Sequence, residues 1–450
     1  MRKFCKFYVI IFLSFFFNSC YGNVLKNKIT LELIVQDLIA PIFILSSPDN
    51  TERKFIGEQT GTIKILNSNG VLLKKPFLDL RPLMTPLLKA FDERGLLSLA
   101  FHPKFIKNGL IYINYSSNRR KNSPFNGPTA YTWKTSEFKV SNENPNRVDI
   151  LSERVLLQFD WINRKHNGGG LAFGPDGFLY IGVGDGGGVH GDSNKIYDAF
   201  KVPKEFHKFD KYAQNTNLLK GKILRIDVNK RDPVYGIPKS NFFAGNELGR
   251  KEIYAWGFRN PFRLSFDKKN NGDIYVNGVA ETFWETIYLV NKQGNYGWAI
   301  REGTHCFSRA NPFNPPTNCP KKGILGQSIN FPIIQYPNWS VNRKESNIKE
   351  KSIGTASIGG FIYRGNSIPE LYGKLVFGDY SKSIKKPSGQ IFYASPSSDK
   401  KKLWEFSKLL EVNGRIHSLG EDLNNELYVL TTDLGIPVGN TGKVWKIVSN

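Results

Sequence analysis

The chain has 450 residues, 40% of them hydrophobic, enough to bury a large core, and its 42 glycines and 24 prolines favour many short strands over long helices. The formal charge of +23, or +20 once the three cations Arg2, Lys3 and Lys6 are set aside, is dispersed in short clusters such as Arg119-Arg120-Lys121, Lys385-Lys386 and Lys400-Lys401-Lys402. No nucleic-acid motif accompanies them, so the default is a solvated basic surface and not a DNA-binding one.

In chain order, residues 1–20 read as a secretory signal. Arg2, Lys3 and Lys6 form the basic region, and Phe7 to Phe17 an apolar stretch too short to span a bilayer. Phe17-Asn18-Ser19-Cys20 also resembles a loose bacterial lipobox that would lipidate Cys20; ordinary cleavage near Cys20-Tyr21-Gly22 is the alternative. The address is then periplasmic, outer-membrane-anchored or secreted.

The segment ITLELIVQDL reads as a lead-in strand. After it one pattern recurs, a Gly or Asn turn followed by an alternating strand. It appears at Gly61–Ile65, Asn108–Ile113, Asp176–Ile181, Asn271–Val276, Gly373–Phe377 and Asn425–Val429. Six copies at irregular spacing predict repeated antiparallel sheets with variable loops, as in propeller blades, with a pair of β-sandwiches as the alternative. No domain boundary interrupts residues 30–450. Stretches 186–217 and 303–350 read as long loops over one face, where propellers place ligand sites.

Cys5 and Cys20 fall in the signal, which leaves Cys306 and Cys319. Two close cysteines in an exported chain, flanking a Pro/Asn-rich loop, are expected to pair, and a zinc site lacks partners nearby. His190, His207, His305 and His417 show no metal-ligand spacing, and His102 reads as a core or turn residue.

The most informative stretch runs from His166 to Gly188. Pro175-Asp176-Gly177 is a turn signal, and the run after it alternates like a half-buried strand, so one hairpin holds His166 at one end and Asp185 at the other. A neutral imidazole with a carboxylate to fix its tautomer suits proton abstraction. On residue types alone, a turn-capping His166 and an ordinary turn aspartate are the plainer reading.

Several blocks then add up. HNGGG-LAFGPDGFLYIGVGDGG resembles the signature of the quinoprotein glucose/sorbosone dehydrogenase family, which includes Hedgehog-interacting-protein-like proteins. DERGLLSLAFHPKF, LLKGKILRIDV, EIYAWGFRNPFRLSFD, GNYGWAIREGTHCF and SIGGFIYRG match in order, covering most of residues 50–380. The resemblance implies an all-β fold, a six-bladed β-propeller. In the enzymes of the family it also implies oxidation of an aldose at C1 by pyrroloquinoline quinone (PQQ) with calcium, electrons passing to an unknown acceptor.

Carried over residue by residue, the resemblance makes His166 the base and Asp185 its orienting partner. Arg259 and Asn260 contact the quinone, where a fixed cation stabilises the charge that reduction creates. Arg364 falls where a basic residue contacts the cofactor. Ala280 and Glu281 supply backbone carbonyls to calcium ahead of Trp284-Glu285-Thr286-Ile287. Related sequences also carry a cysteine pair near 306–319.

Departures from the family pattern are equally concrete. Thr286 replaces a Glu of a second calcium site, though Tyr296 remains. Glu93 stands for a cofactor-contacting Gln, with Arg94 next to it. Lys385 and Lys386 are displaced from the family's carboxylate-binding arginines. A sugar dehydrogenase is therefore weighed against a non-catalytic propeller that binds a protein or glycan. A hydrolase on this scaffold lacks a nucleophile or metal cluster.

Overall fold

In the computed structural model, residues 28–187, 212–270, 272–291, 293–399 and 402–450 are described. Residues 1–20 with Cys20, His190, His207 and most of the 186–217 loop lie outside them. The architecture is all-β, with helix among the described residues limited to short pieces such as Phe105–Asn108 and Trp339–Asn342. No helix among them is long and apolar enough to cross a membrane.

Most of the chain forms consecutive antiparallel sheets of four or five strands, each opening on a short inner strand: Leu96–Phe101, Gly168–Phe173, Pro261–Phe266 and Ser357–Ile362. A larger eight-stranded sheet joins the start of the chain to its end. In it Pro41–Ser46 meets Arg415–Glu421 through a parallel bridge, Leu45 to Glu421. Ile29–Leu38 pairs antiparallel with Gly442–Ser449, so the two ends of the described chain close one sheet.

Strand alternation explains why the sheets stack. Leu179 and Ile181 pack into the cluster shared with the preceding sheet, around Leu97, Trp133 and Trp161. Tyr180, between them, packs into the cluster shared with the following sheet, around Leu264, Ile274 and Val276. Both faces of each sheet are thus buried, and the core is divided among the gaps between sheets. The series closes on itself: Ile44 and Ile56 of the first sheet strands pack with Tyr428, Leu430 and Val444 of the last.

Five of the turn-strand copies become second strands: Leu110–Ser117, Leu179–Val183, Ile274–Gly278, Leu375–Asp379 and Leu427–Thr432. The Gly61 copy becomes Thr62–Leu66, a third strand, because Lys54–Glu58 precedes it in the same sheet.

Arg263 ties the inner strands together. Its Nε donates to Ser418 Oγ at 3.2 Å and its Nη2 to the Ile42 carbonyl at 2.5 Å, while the guanidinium lies 4.0 Å from the Phe262 ring centroid. Burial pulls its pKa down to about 9, which still leaves it charged at neutral pH. Arg263→Met keeps the stem but removes the donors, leaving the Ile42 carbonyl and Ser418 hydroxyl without this partner. It is expected to cost about 1–3 kcal/mol, read as a lower denaturant midpoint at unchanged slope.

Cys306 and Cys319 form a disulfide across 13 residues, as expected from the sequence. Replacing both with serine is expected to cost about 3 kcal/mol through the loop closed in the unfolded chain. Thermal unfolding with and without reductant checks this: the wild type should fall to the variant's midpoint when reduced.

Candidate functional site

Strand direction decides what meets what. Residues just before a first strand, and residues just after a second strand, share one end of the sheets. Glu93, His166, Arg259 and Asn260 precede first strands; Asp185, Ala280 and Glu281 follow second strands. Gly168 pairs with Val183, which sets His166 beside Asp185 across one ladder.

His166 Nδ1 lies 2.7 Å from Asp185 Oδ1, with both side chains buried. Asp185 Oδ1 also accepts from Gly187 N at 2.8 Å, and its Oδ2 accepts from Trp298 Nε1 at 2.8 Å. Its backbone N–H donates to the Arg259 carbonyl at 2.8 Å, locking the neighbouring sheet to this one. Burial alone would raise the Asp185 pKa; His166, Arg259 and the Gly187 N–H outweigh it and hold the carboxyl below its ordinary value.

The backbone is shaped to allow this. His166 has φ of 55°, a left-handed conformation uncommon for a non-glycine residue. A Cβ at Gly184 would come within 1.8 Å of the His166 carbonyl oxygen, so only glycine lets the two turns approach. Asn260 Oδ1 accepts from Gly168 N at 2.8 Å and Glu93 Oε2 from His166 N at 2.6 Å, so both residues hold the His166 turn.

Arg259 points into the same corner but is already paired. Its Nε and Nη2 each lie 2.6 Å from Glu281 Oε2, and its Nη1 donates to the Val279 carbonyl at 2.9 Å. Glu281 Oε2 is also 4.0 Å from His166 Nε2. The Glu281 backbone is fixed by Glu302, whose carboxylate accepts from the N–H groups of Glu281, Thr282, Phe283 and Trp284 at 2.6–3.3 Å. Because trans peptides carry N–H and C=O on opposite sides, the Ala280 and Glu281 carbonyls are turned away from Glu302. That donor chemistry fits a hard cation such as calcium. Thr286 donates its hydroxyl to the Gly278 carbonyl at 3.0 Å, and the Tyr296 ring stacks on Phe258. Among the described residues no group of three or more His, Cys, Asp or Glu side chains converges on a metal position.

A cavity of about 550 Å³ opens beside this corner, within the range of small-molecule sites. Glu93, Asn260, Val279, Tyr380, Arg415 and His417 line it, with apolar walls that include Ile42, Leu97, Phe262 and Ile358. Arg415 donates to the carbonyls of Asp433 and Ile384. His417 stacks on Tyr380, its Nδ1 has no hydrogen-bond partner, and burial followed by Arg263 and Arg415 pushes its pKa down to about 4. Arg415 and the nearby Arg263 thus carry positive charge that no carboxylate pairs among the described residues, and His417 between them is neutral.

Arg364 is not part of this arrangement. It follows the first strand Ser357–Ile362 instead of preceding it, so it lies at the far end of a strand about 20 Å long. There it pairs with Asp267 at 2.6 Å, the residue that likewise follows Pro261–Phe266. The expectation that Arg364 contacts a cofactor in this cavity is corrected on that ground. Lys385 and Lys386 stay exposed beside the Ile384 rim. Sequence reasoning passed over Trp298, Glu302, Arg415, His417 and the side chain of Glu281. Arg415 and His417 open the strand Arg415–Glu421, whose register shifts at His417, and both line the cavity.

The fold is all-β and propeller-like, with a buried His–Asp pair at one end of its sheets. A family model described as glucose/sorbosone dehydrogenase matches residues 38–320, and the chain belongs to that family. It is 31% identical to the human Hedgehog-interacting protein over 433 residues, 94% of this chain and 53% of that protein, so it spans about half the length of that relative. Among solved structures it resembles the soluble aldose sugar dehydrogenase of Escherichia coli in its apo form, with TM-score 0.65 and 19% identity over 94% of this chain and 100% of that one. The PQQ-bound aldose sugar dehydrogenase of Streptomyces coelicolor gives TM-score 0.61 and 16% identity over 94% and 99%. Those two likenesses concern the fold.

Proposed function

We propose that residues 30–450 form a single six-bladed β-propeller, exported by the signal at residues 1–20, that oxidises an aldose at C1 with PQQ and calcium. The closed series of inner strands and inter-sheet cores supports the blade count. The carrying observation for the activity is the 2.7 Å contact between His166 Nδ1 and the buried Asp185, beside a cavity that Asn260, Glu93 and Arg415 line. With its Nδ1–H donated to Asp185, His166 keeps the Nε2 lone pair for the proton of the C1 hydroxyl, and Asp185 stabilises the imidazolium that results. Asn260 and Glu93 hold the turn that aims it.

The residues present fit an anionic quinone. Asn260 and Arg259 would face its carbonyl end, Arg415 and the neutral His417 its carboxylates, with the charge of Arg263 nearby. The Ala280 and Glu281 carbonyls would hold calcium. Bound there, PQQ supplies a two-electron acceptor for the C1 hydride. The test is reconstitution of purified protein with PQQ and calcium, followed by dye reduction across aldoses. Stoichiometric PQQ uptake with sugar-dependent reduction is the expected result; absence of both overturns the activity.

One observation favours a second function, a non-catalytic propeller that binds a protein or glycan. The Glu93 and Glu281 carboxylates stand at the cofactor end, and the human relative is a Hedgehog-interacting protein. A chain that takes up no PQQ under saturating conditions would point to it.

A further inference from the structure

The corner holding His166 contains an anion of its own. Glu281 places one carboxylate oxygen 2.6 Å from both Nε and Nη2 of Arg259 and 4.0 Å from His166 Nε2. Its backbone N–H, with those of Thr282, Phe283 and Trp284, is held by the buried Glu302 carboxylate, and its side chain by the two Arg259 contacts. Its side chain is almost fully buried, at 5% exposure. Asp185 adds a second carboxylate at the imidazole's Nδ1, and Glu93 a third at the His166 backbone N–H. Arg415, which lines the neighbouring cavity, and Arg263 differ: among the described residues their hydrogen bonds go to carbonyls and a hydroxyl. Positive charge is therefore already matched by a carboxylate at the His166 corner and is not so matched at Arg415 and Arg263.

We propose that Glu281 is a specificity-determining residue: by serving as the resident partner of Arg259, it reserves the His166 end for uncharged oxygen groups and shuts carboxylates out. Resting on the dehydrogenase activity proposed above, this makes neutral aldoses the substrate class at His166 and rejects uronates and other acid sugars that would present their carboxylate there. An incoming carboxylate would have to displace Glu281 from a fixed position or sit beside it, and like charges at that spacing repel strongly in a desolvated site. A hydroxyl meets no such barrier and can donate to His166 Nε2.

Two measurements test this, the first without any cofactor. Purified apo wild type, Glu281→Ala and the double variant Glu281→Ala/Arg259→Met are melted in rising sodium acetate, with ionic strength held constant by sodium chloride. Glu281→Ala should melt below the wild type and be restored saturably by acetate, which fills the vacated place on Arg259. The wild type and the double variant should not respond. An equal acetate response in the wild type, no response in Glu281→Ala, or a response that survives loss of Arg259 overturns the proposal. If Glu281→Ala does not fold, Glu281→Ser, which still leaves room for acetate on Arg259, takes its place and the same outcomes decide.

The second measurement uses PQQ-loaded protein and compares glucose with glucuronate. Glu281→Gln should shift the kcat/KM ratio toward the acid sugar by at least about tenfold, the factor that corresponds to 1.4 kcal/mol; an unchanged ratio overturns the proposal. A chain that binds no PQQ removes the activity but leaves the acetate result to be judged on its own.

Discussion

Replacing His166 with alanine is expected to lower sugar oxidation by on the order of 10²–10⁴-fold while PQQ uptake stays close to that of the wild type. The side chain is the only imidazole at this corner among the described residues, and its Nδ1 is committed to Asp185, leaving Nε2 to work. The structural cost should be small. The backbone N–H of residue 166 still donates to Glu93, and the Gly184 contact is to the residue's carbonyl, so the turn keeps its anchors. Arg259→Ala should behave differently: it leaves Glu281 without its cation and depresses cofactor uptake and turnover together. Steady-state rates at confirmed PQQ saturation separate the two. A His166→Ala protein that keeps its full rate would show that the proton leaves by another route.

How much of this was legible in the sequence follows from where the contacts lie. His166 and Asp185 sit on one hairpin with a recognisable turn between them, so local pattern was enough to bring them together. The disulfide was legible from cysteine arithmetic in an exported chain. Trp298 was not, because its bond to Asp185 joins residues 113 positions apart and depends on how one sheet follows another. Arg364 shows a different failure. The YRG motif was read for its residue type, whereas the direction of the strand before it sends the side chain to the opposite end. The same counting would have found Arg415 and His417, which open a strand at the correct end. Glu281 was considered only for its carbonyl, since backbone ligation ignores side chains; the pairing with Arg259 appears only in three dimensions. The turn-strand pattern was legible as repetition but not as register, which is why the Gly61 copy proved to be a third strand.

The substitution Asp185→Asn should be more damaging than its small size implies. Each oxygen of Asp185 accepts from a donor: Oδ1 from His166 Nδ1 and Gly187 N, Oδ2 from Trp298 Nε1. An asparagine amide must turn its NH₂ toward one of these sides, and none of them offers an acceptor while His166 keeps its proton on Nδ1. If the NH₂ faces His166, the imidazole must shift its proton to Nε2, the atom that should accept one from substrate, and the base is disabled. A comparable exchange in a serine-protease triad costs about 10⁴ in rate, and a loss of that order is expected here. If the NH₂ faces Trp298 instead, a buried indole N–H loses its acceptor, at a cost of about 1–3 kcal/mol in stability. Either orientation is measurable, the first as lost turnover with normal melting, the second as a lower melting point. Acid should reveal the same carboxylate in the wild type. Because its folded pKa lies below the ordinary 3.8, Asp185 contributes stability that is present above that pH and fades as pH falls through the lowered value. Asp185→Asn should lack this contribution, so the stability gap between the two proteins should narrow below about pH 4. A gap that stays constant from pH 6 to pH 3 would show that the carboxylate is not held by His166 and Arg259 as the geometry requires.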